Sequence, residues 1–196
     1  MASNPEIARL LLFHGAKEDA LDEEGMTPLH DCAKNGRSEV AKLLVEKDQF
    51  VYLPDPTFKL TPLHICALFG QTDVAKELVV KRGVNLDALD YNKNSPLHLS
   101  AYYGHLEMTR LLLEHGANLK TRNNGTHSYG DCPKGYITKI KPPLLREQFE
   151  RYTPYQFASM TEHDDIKKLM EEYGHGGHTL QRNRNSFRMA HANTYK

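Results

Sequence analysis

The sequence predicts an all-α fold: a solenoid of stacked helix–turn–helix units with connecting loops, one long inserted finger loop and a disordered C-terminal tail. Three observations predict it. Thr27-Pro28-Leu29-His30 recurs as Thr61-Pro62-Leu63-His64 and again as Ser95-Pro96-Leu97-His98, each 34 residues after the last. Glycines recur in step at Gly36, Gly70 and Gly104. An apolar pattern then follows at i, i+4 spacing: Val40 and Leu44, Val74 and Leu78, Met108 and Leu112. A fixed period of this length marks a repeat array rather than a single closed core.

Each part of the unit has a physical reason. Thr or Ser can cap a helix by accepting a free backbone N–H. Proline suits the first helical position, where its missing N–H costs nothing. The small pairs Cys32-Ala33, Cys66-Ala67 and Ser100-Ala101 let neighbouring helices approach closely. The glycine ends the first helix because it tolerates a left-handed backbone. The i, i+4 residues give the second helix one apolar face. One unit cannot bury that face alone, so copies must stack.

Taken in order, residues 4–174 are the repeat domain. It opens with half a repeat, 4–26, in which Ser3 or Asn4 can cap, Pro5 fits the first turn, and Ile7, Leu10 and Leu11 form an apolar face. No first helix precedes it. Either the array continues upstream of Met1, or another chain covers an open end. Full repeats follow at 27–60, 61–94 and 95–124. Arg82-Gly83 adds a residue after the second of these, and Val51-Tyr52-Leu53-Pro54 replaces a polar loop. Residues 125–152 are an insertion, and loops of such length are usually functional or disordered. Its first part carries Lys134, Lys139 and Lys141. Its second places Leu145, Phe149 and Tyr152 on one stripe of a short helix, which either packs on the last repeat or contacts a partner. A weaker fourth copy, Thr153-Pro154-Tyr155-Gln156, opens repeat 153–174, with Glu162 where the turn glycine falls. Residues 175–196 hold four basic residues and no acid, and read as a flexible basic tail.

The T-P-L-H boxes and their period resemble the ankyrin repeat family over roughly residues 5–174. The resemblance implies helix pairs joined by hairpin loops that project at right angles. It implies that His30, His64 and His98 tie loops together by hydrogen bonds, as structural rather than metal-binding groups. It also implies a protein-binding concave face made of loop tips and of residues around the small pairs. Carried over, that face has a polar first repeat, Asp31, Lys34 and Asn35. It then has Ile65, Leu68 and Phe69, followed by Leu99, Tyr102 and Tyr103, with Phe58 and Tyr91 at loop tips. Aromatic anchors with a polar rim suit protein recognition. Phe69 and Tyr103 could instead pack between repeats.

Composition narrows the function. Lys+Arg and Asp+Glu are both 25, for a formal net charge of +0, which argues against a chain-wide polyanion-binding surface. Nucleic acid is not an expected partner. Three cysteines without paired spacing fit a reducing compartment better than a disulfide framework. No signal peptide or membrane span is visible, so the expected location is the cytoplasm, with the nucleus as an alternative. No phosphate-binding loop, zinc-protease motif or nucleophile elbow is present. Glu162-His163-Asp164-Asp165 is explained by acids at a helix N-terminus. The expectation is therefore a non-catalytic scaffold or adaptor that binds another protein, with no cofactor, metal or small-molecule substrate. Two alternatives remain open: a regulatory or targeting module of a larger enzyme or channel, and a nucleic-acid- or metal-dependent activity using the inserted loop and tail.

Overall fold

The computed structural model describes residues 4–47, 53–80, 84–124 and 151–175. Within them, α1 (Pro5–Phe13) stands alone and four helix pairs follow. These are α2 (Pro28–Asn35) with α3 (Ser38–Lys47), and α4 (Pro62–Phe69) with α5 (Thr72–Val79). Next come α6 (Pro96–Tyr102) with α7 (Leu106–Glu114), and α8 (Pro154–Met160) with α9 (Asp164–His175). There is no strand among the described residues. The helices stack in two rows. α2, α4, α6 and α8 form a front row, each touching the next. α1, α3, α5, α7 and α9 form a back row in the same way, and each pair is also joined front to back.

The sequence boxes form as expected, and their histidines do more than cap. Thr61 Oγ1 accepts the His64 N–H at 3.4 Å, while His64 Nδ1 accepts the Thr61 N–H at 3.1 Å. Nδ1 is thus an acceptor, so the proton sits on Nε2, which donates to the Asn94 carbonyl 3.1 Å away in the next hairpin loop. His30 repeats this onto Leu60 O at 3.0 Å, and His98 onto Tyr152 O at 3.0 Å. In α8 the glutamine that replaces histidine keeps the local half: Gln156 Oε1 accepts the Thr153 N–H at 2.9 Å. The imidazoles are therefore rungs that join each helix start to the loop of the following repeat.

A second ladder runs the other way. In two repeats the histidine after the turn reaches back to the preceding front helix: His105 Nε2 to Leu68 O at 3.1 Å, and His163 Nε2 to Tyr102 O at 3.2 Å. The turn glycines make room for it. Gly70 and Gly104 have φ of +70° and +75°, and a Cβ on either would lie within 2.7 Å of the ring of His105 or His163. Glu162 takes the left-handed turn of the last repeat, with φ +60°. The acids after it cap α9 as expected: Asp164 and Asp165 lie in its first turn.

The hairpin loops share one construction. Asp90 N–H donates to Asn94 O at 3.0 Å and Asp90 Oδ1 accepts the Asn94 N–H at 2.7 Å. Asp22 with Met26, and Asp55 with Leu60, close the first two loops in the same way. The fourth loop uses Asn123 and Tyr152: N–H to O at 3.0 Å, and Tyr152 N–H to Asn123 Oδ1 at 2.8 Å. Tyr152 thus sits outside any helix, buried at the loop base and against the Phe157 ring, centroids 5.8 Å apart. Its expected place on a helical stripe is corrected by that pairing: Tyr152 lies outside the helices and closes the loop with Asn123. Leu145 and Phe149, the insertion's lysines, Arg82-Gly83, Val51-Tyr52 and residues 176–196 lie outside the described residues.

The long insertion therefore enters and leaves through an ordinary loop base. Replacing residues 124–151 by a three-residue turn like 91–93 should leave the thermal midpoint unchanged or raised. Loop-closure entropy alone predicts a gain of about 2 kcal/mol for that shortening. Calorimetry of the shortened chain checks this.

Candidate functional site

Successive hairpin tips are joined by backbone bonds: Tyr91 N–H donates to Phe58 O at 2.8 Å, and Asn124 N–H to Asn92 O at 3.1 Å. Asn94 sits beneath, its Oδ1 accepting from Asn123 Nδ2 at 3.0 Å. The first loop is not joined in this manner. Pro56 occupies the donor place in the second loop, and proline has no N–H to give. Asp55 holds that second loop from inside. Its carboxylate is buried and accepts the N–H groups of Thr57, Phe58 and Leu60 at 2.9, 2.7 and 2.6 Å.

The eight residues expected to bind a partner fall into two groups. Tyr91 stands at a loop tip with 66% of its surface exposed. Phe58 is half-buried at the neighbouring tip, leaning on the core. Tyr102, Tyr103 and Phe69 are half-buried at the ends of α6 and α4. The Tyr102 and Tyr103 rings meet edge to face at 4.8 Å, and Tyr102 also abuts Phe157 at 5.6 Å. Phe69 and Tyr103 pack against the core with part of each ring, as the packing alternative had it. Burial pushes both tyrosine hydroxyls up from their ordinary pKa, so they stay protonated donors at neutral pH.

Ile65, Leu68 and Leu99 are a correction. They are buried to 3% exposure or less and offer a partner no side-chain surface. The physical reason is their position in the middle of the front row. α4 has α2 on one side, α6 on the other and α5 behind, and α6 is enclosed likewise. The residues beside the small pair therefore point at the adjacent helix. In the first full repeat, Asp31 is half-buried and paired with Arg37 at 2.8 Å, and Asn35 is exposed.

The cysteines next to the box histidines are not nucleophiles. Cys32 and Cys66 are buried free thiols, and burial raises both pKa values, Cys32 to about 12. Burial also holds His64 at about 4, well below the usual imidazole value, and lowers His30 and His105. These rings are neutral hydrogen-bonding struts at physiological pH.

A family model described as ankyrin repeats (3 copies) matches residues 1–55 and 51–123, more than half of the chain. The chain belongs to the ankyrin repeat family. Ankyrin repeats are in general protein–protein interaction modules and typically non-catalytic. The α8–α9 pair lies beyond the matched residues and packs on α6 and α7. No helix among the described residues is long and apolar enough to cross a membrane. Two features of this ankyrin stack were not expected from its sequence. One is the backward-reaching ladder of His105 and His163, whose signal was a histidine directly after the turn position. The other is the carboxylate or amide that closes each loop, whose signal was Asp22, Asp55 and Asp90 at five or six residues before each box.

Proposed function

We propose that this ankyrin-repeat chain is a non-catalytic adaptor that binds a partner protein through its front face, centred on the second and third full repeats. The observation that carries the reading is the aromatic group Phe58, Phe69, Tyr91, Tyr102 and Tyr103. Tyr91 is exposed at a hairpin tip and the other four are half-buried at a tip and at the ends of α4 and α6, on repeats joined by two sets of histidine hydrogen bonds. Rigid aromatic anchors lose little conformational entropy on binding and concentrate the energy of an interface. The insertion joins the framework at the loop base of Asn123 and Tyr152, and the proposed site includes it. The buried free thiols suit a reducing compartment, and the proposed location is the cytoplasm.

Partner capture from the cell of origin, followed by calorimetry, tests this. Tyr91→Ala and Tyr102→Ala should each weaken binding more than tenfold with the fold intact, whereas Glu23→Gln and Glu24→Gln in the first loop should change it little. Normal binding by the tyrosine variants with failure of the acidic-loop variants would move the site to the N-terminal end.

A further inference from the structure

One loop position recurs two residues before each helix box. It holds Gly25 in the first loop, Lys59 in the second, Lys93 in the third and Arg151 in the fourth. The backbone of the first three is left-handed, with φ of +79°, +56° and +59°. Glycine takes that conformation freely, whereas a residue with a Cβ takes it under strain. Two of the three described non-glycine residues with positive φ are these lysines. Such strain gathers at sites that bind or react. Lys59, Lys93 and Arg151 are all exposed, and among the described residues none of them is in an ion pair. The helical bases Lys76, Arg110 and Lys167 differ, since each meets an acid three residues away. The acids of the same loops are turned to structural work. Asp55 and Asp90 are buried and accept backbone N–H groups of their own loops. Asp87 Oδ1 accepts the Asn118 N–H of the next loop at 2.7 Å. A chain of formal net charge +0 thus shows solvent a row of bases along its second, third and fourth loops. The backbone bonds from Tyr91 to Phe58 and from Asn124 to Asn92 hold those loops side by side. In the fourth, Arg122 Nη1 donates to the Arg151 carbonyl at 3.1 Å and adds a second exposed guanidinium.

We propose that Lys59, Lys93 and Arg151 form a cationic line that takes an acidic segment of the partner protein, with Tyr91 as its aromatic neighbour. This rests on the hairpin-tip site proposed above and adds to it the charge of what binds there. Complementary charge along an interface sets register and rejects wrong partners. A short acidic protein segment fits the line better than a nucleic acid does. Glu23 and Glu24 are exposed in the first loop, so the row changes sign there and repels a polyanion that runs past the second loop. The lysines keep a strained backbone where glycine would relax it, and the contact with the partner is what their charge supplies in return.

Fluorescence anisotropy of labelled poly-L-glutamate with the intact chain tests this, beside thermal unfolding of the same samples. The wild type should bind the probe, and added salt should weaken the binding. Lys59→Gly/Lys93→Gly should bind about tenfold more weakly, with a thermal midpoint unchanged or raised because glycine relieves the backbone. Lys59→Gln/Lys93→Gln removes the charge and keeps the Cβ, and should lose binding equally with no change in midpoint. Absence of probe binding by the wild type, undiminished binding by either double variant, or a lowered midpoint in the glycine variant would overturn the proposal. Poly(U) RNA bound as tightly as poly-L-glutamate would overturn it too. Calorimetry with the captured partner separates this proposal from the one it rests on. If Tyr91→Ala weakens partner binding and the glutamine variant does not, the tip site stands and the acidic segment falls. If neither weakens it, the tip site itself falls.

Discussion

His64→Ala is expected to destabilise the chain by about 3 kcal/mol, because it strands a buried carbonyl and a part-buried N–H at once. The Thr61 N–H loses its acceptor and the Asn94 carbonyl loses its donor. The same ring makes stability depend on acid. Folded His64 titrates at about 4, against about 6.5 when unfolded. Below pH 6.5 the unfolded chain therefore binds the proton that the folded chain refuses, and stability falls as pH falls. The contribution is fully present above pH 6.5 and is lost between there and pH 4, a span worth about 3 kcal/mol for this group. His30 and His105, also lowered by burial, act in the same direction. Urea midpoints at pH 7.5 and pH 5 check both parts. The wild type should lose stability on acidification, and His64→Ala should lose less.

Asp55→Ala should cost a similar amount, about 3 kcal/mol, and should act on the binding face directly. Its carboxylate satisfies three backbone N–H groups, and Leu60 N–H is buried with no other acceptor within its loop. Hydrogen bonds to an ionised acceptor contribute about 1.5–3 kcal/mol each when they cannot be replaced by water. Thr57 and Phe58 can turn to solvent, so the loss is dominated by Leu60. Asp55→Asn should retain part of the stability. Amide hydrogen exchange at Leu60, Phe58 and Tyr91 reads the effect, with faster exchange at all three in Asp55→Ala.

The difference between what was legible and what was not lies in the range of the interactions. The helix boxes were legible because a cap is local: Thr61, Pro62 and His64 explain one another within four residues. The stacking was legible because Val74 and Leu78 cannot be buried by a lone helix. The fourth unit was legible despite Gln156 and Glu162. Gln156 still caps, and Glu162 takes the left-handed turn that glycine takes elsewhere. The binding face was only half legible. Whether residue 65 or residue 69 meets solvent depends on how closely α2 and α6 flank α4, a distance that no local pattern encodes. Ile65, Leu68 and Leu99 were lost to the interior for that reason. Tyr152 was misplaced because its partner, Asn123, is 29 residues away across the insertion, so its pairing outweighed the local stripe.

The account's central claim is that a partner meets the hairpin tips and the front helices. Hydrogen-exchange footprinting of the chain with its captured partner tests it most directly. The account predicts slowed exchange at residues 56–59, 91–93 and 102–105, with α5 and α7 unchanged on their solvent side. Protection confined to α5 and α7, with Phe58 and Tyr91 exchanging as in the free chain, would contradict it.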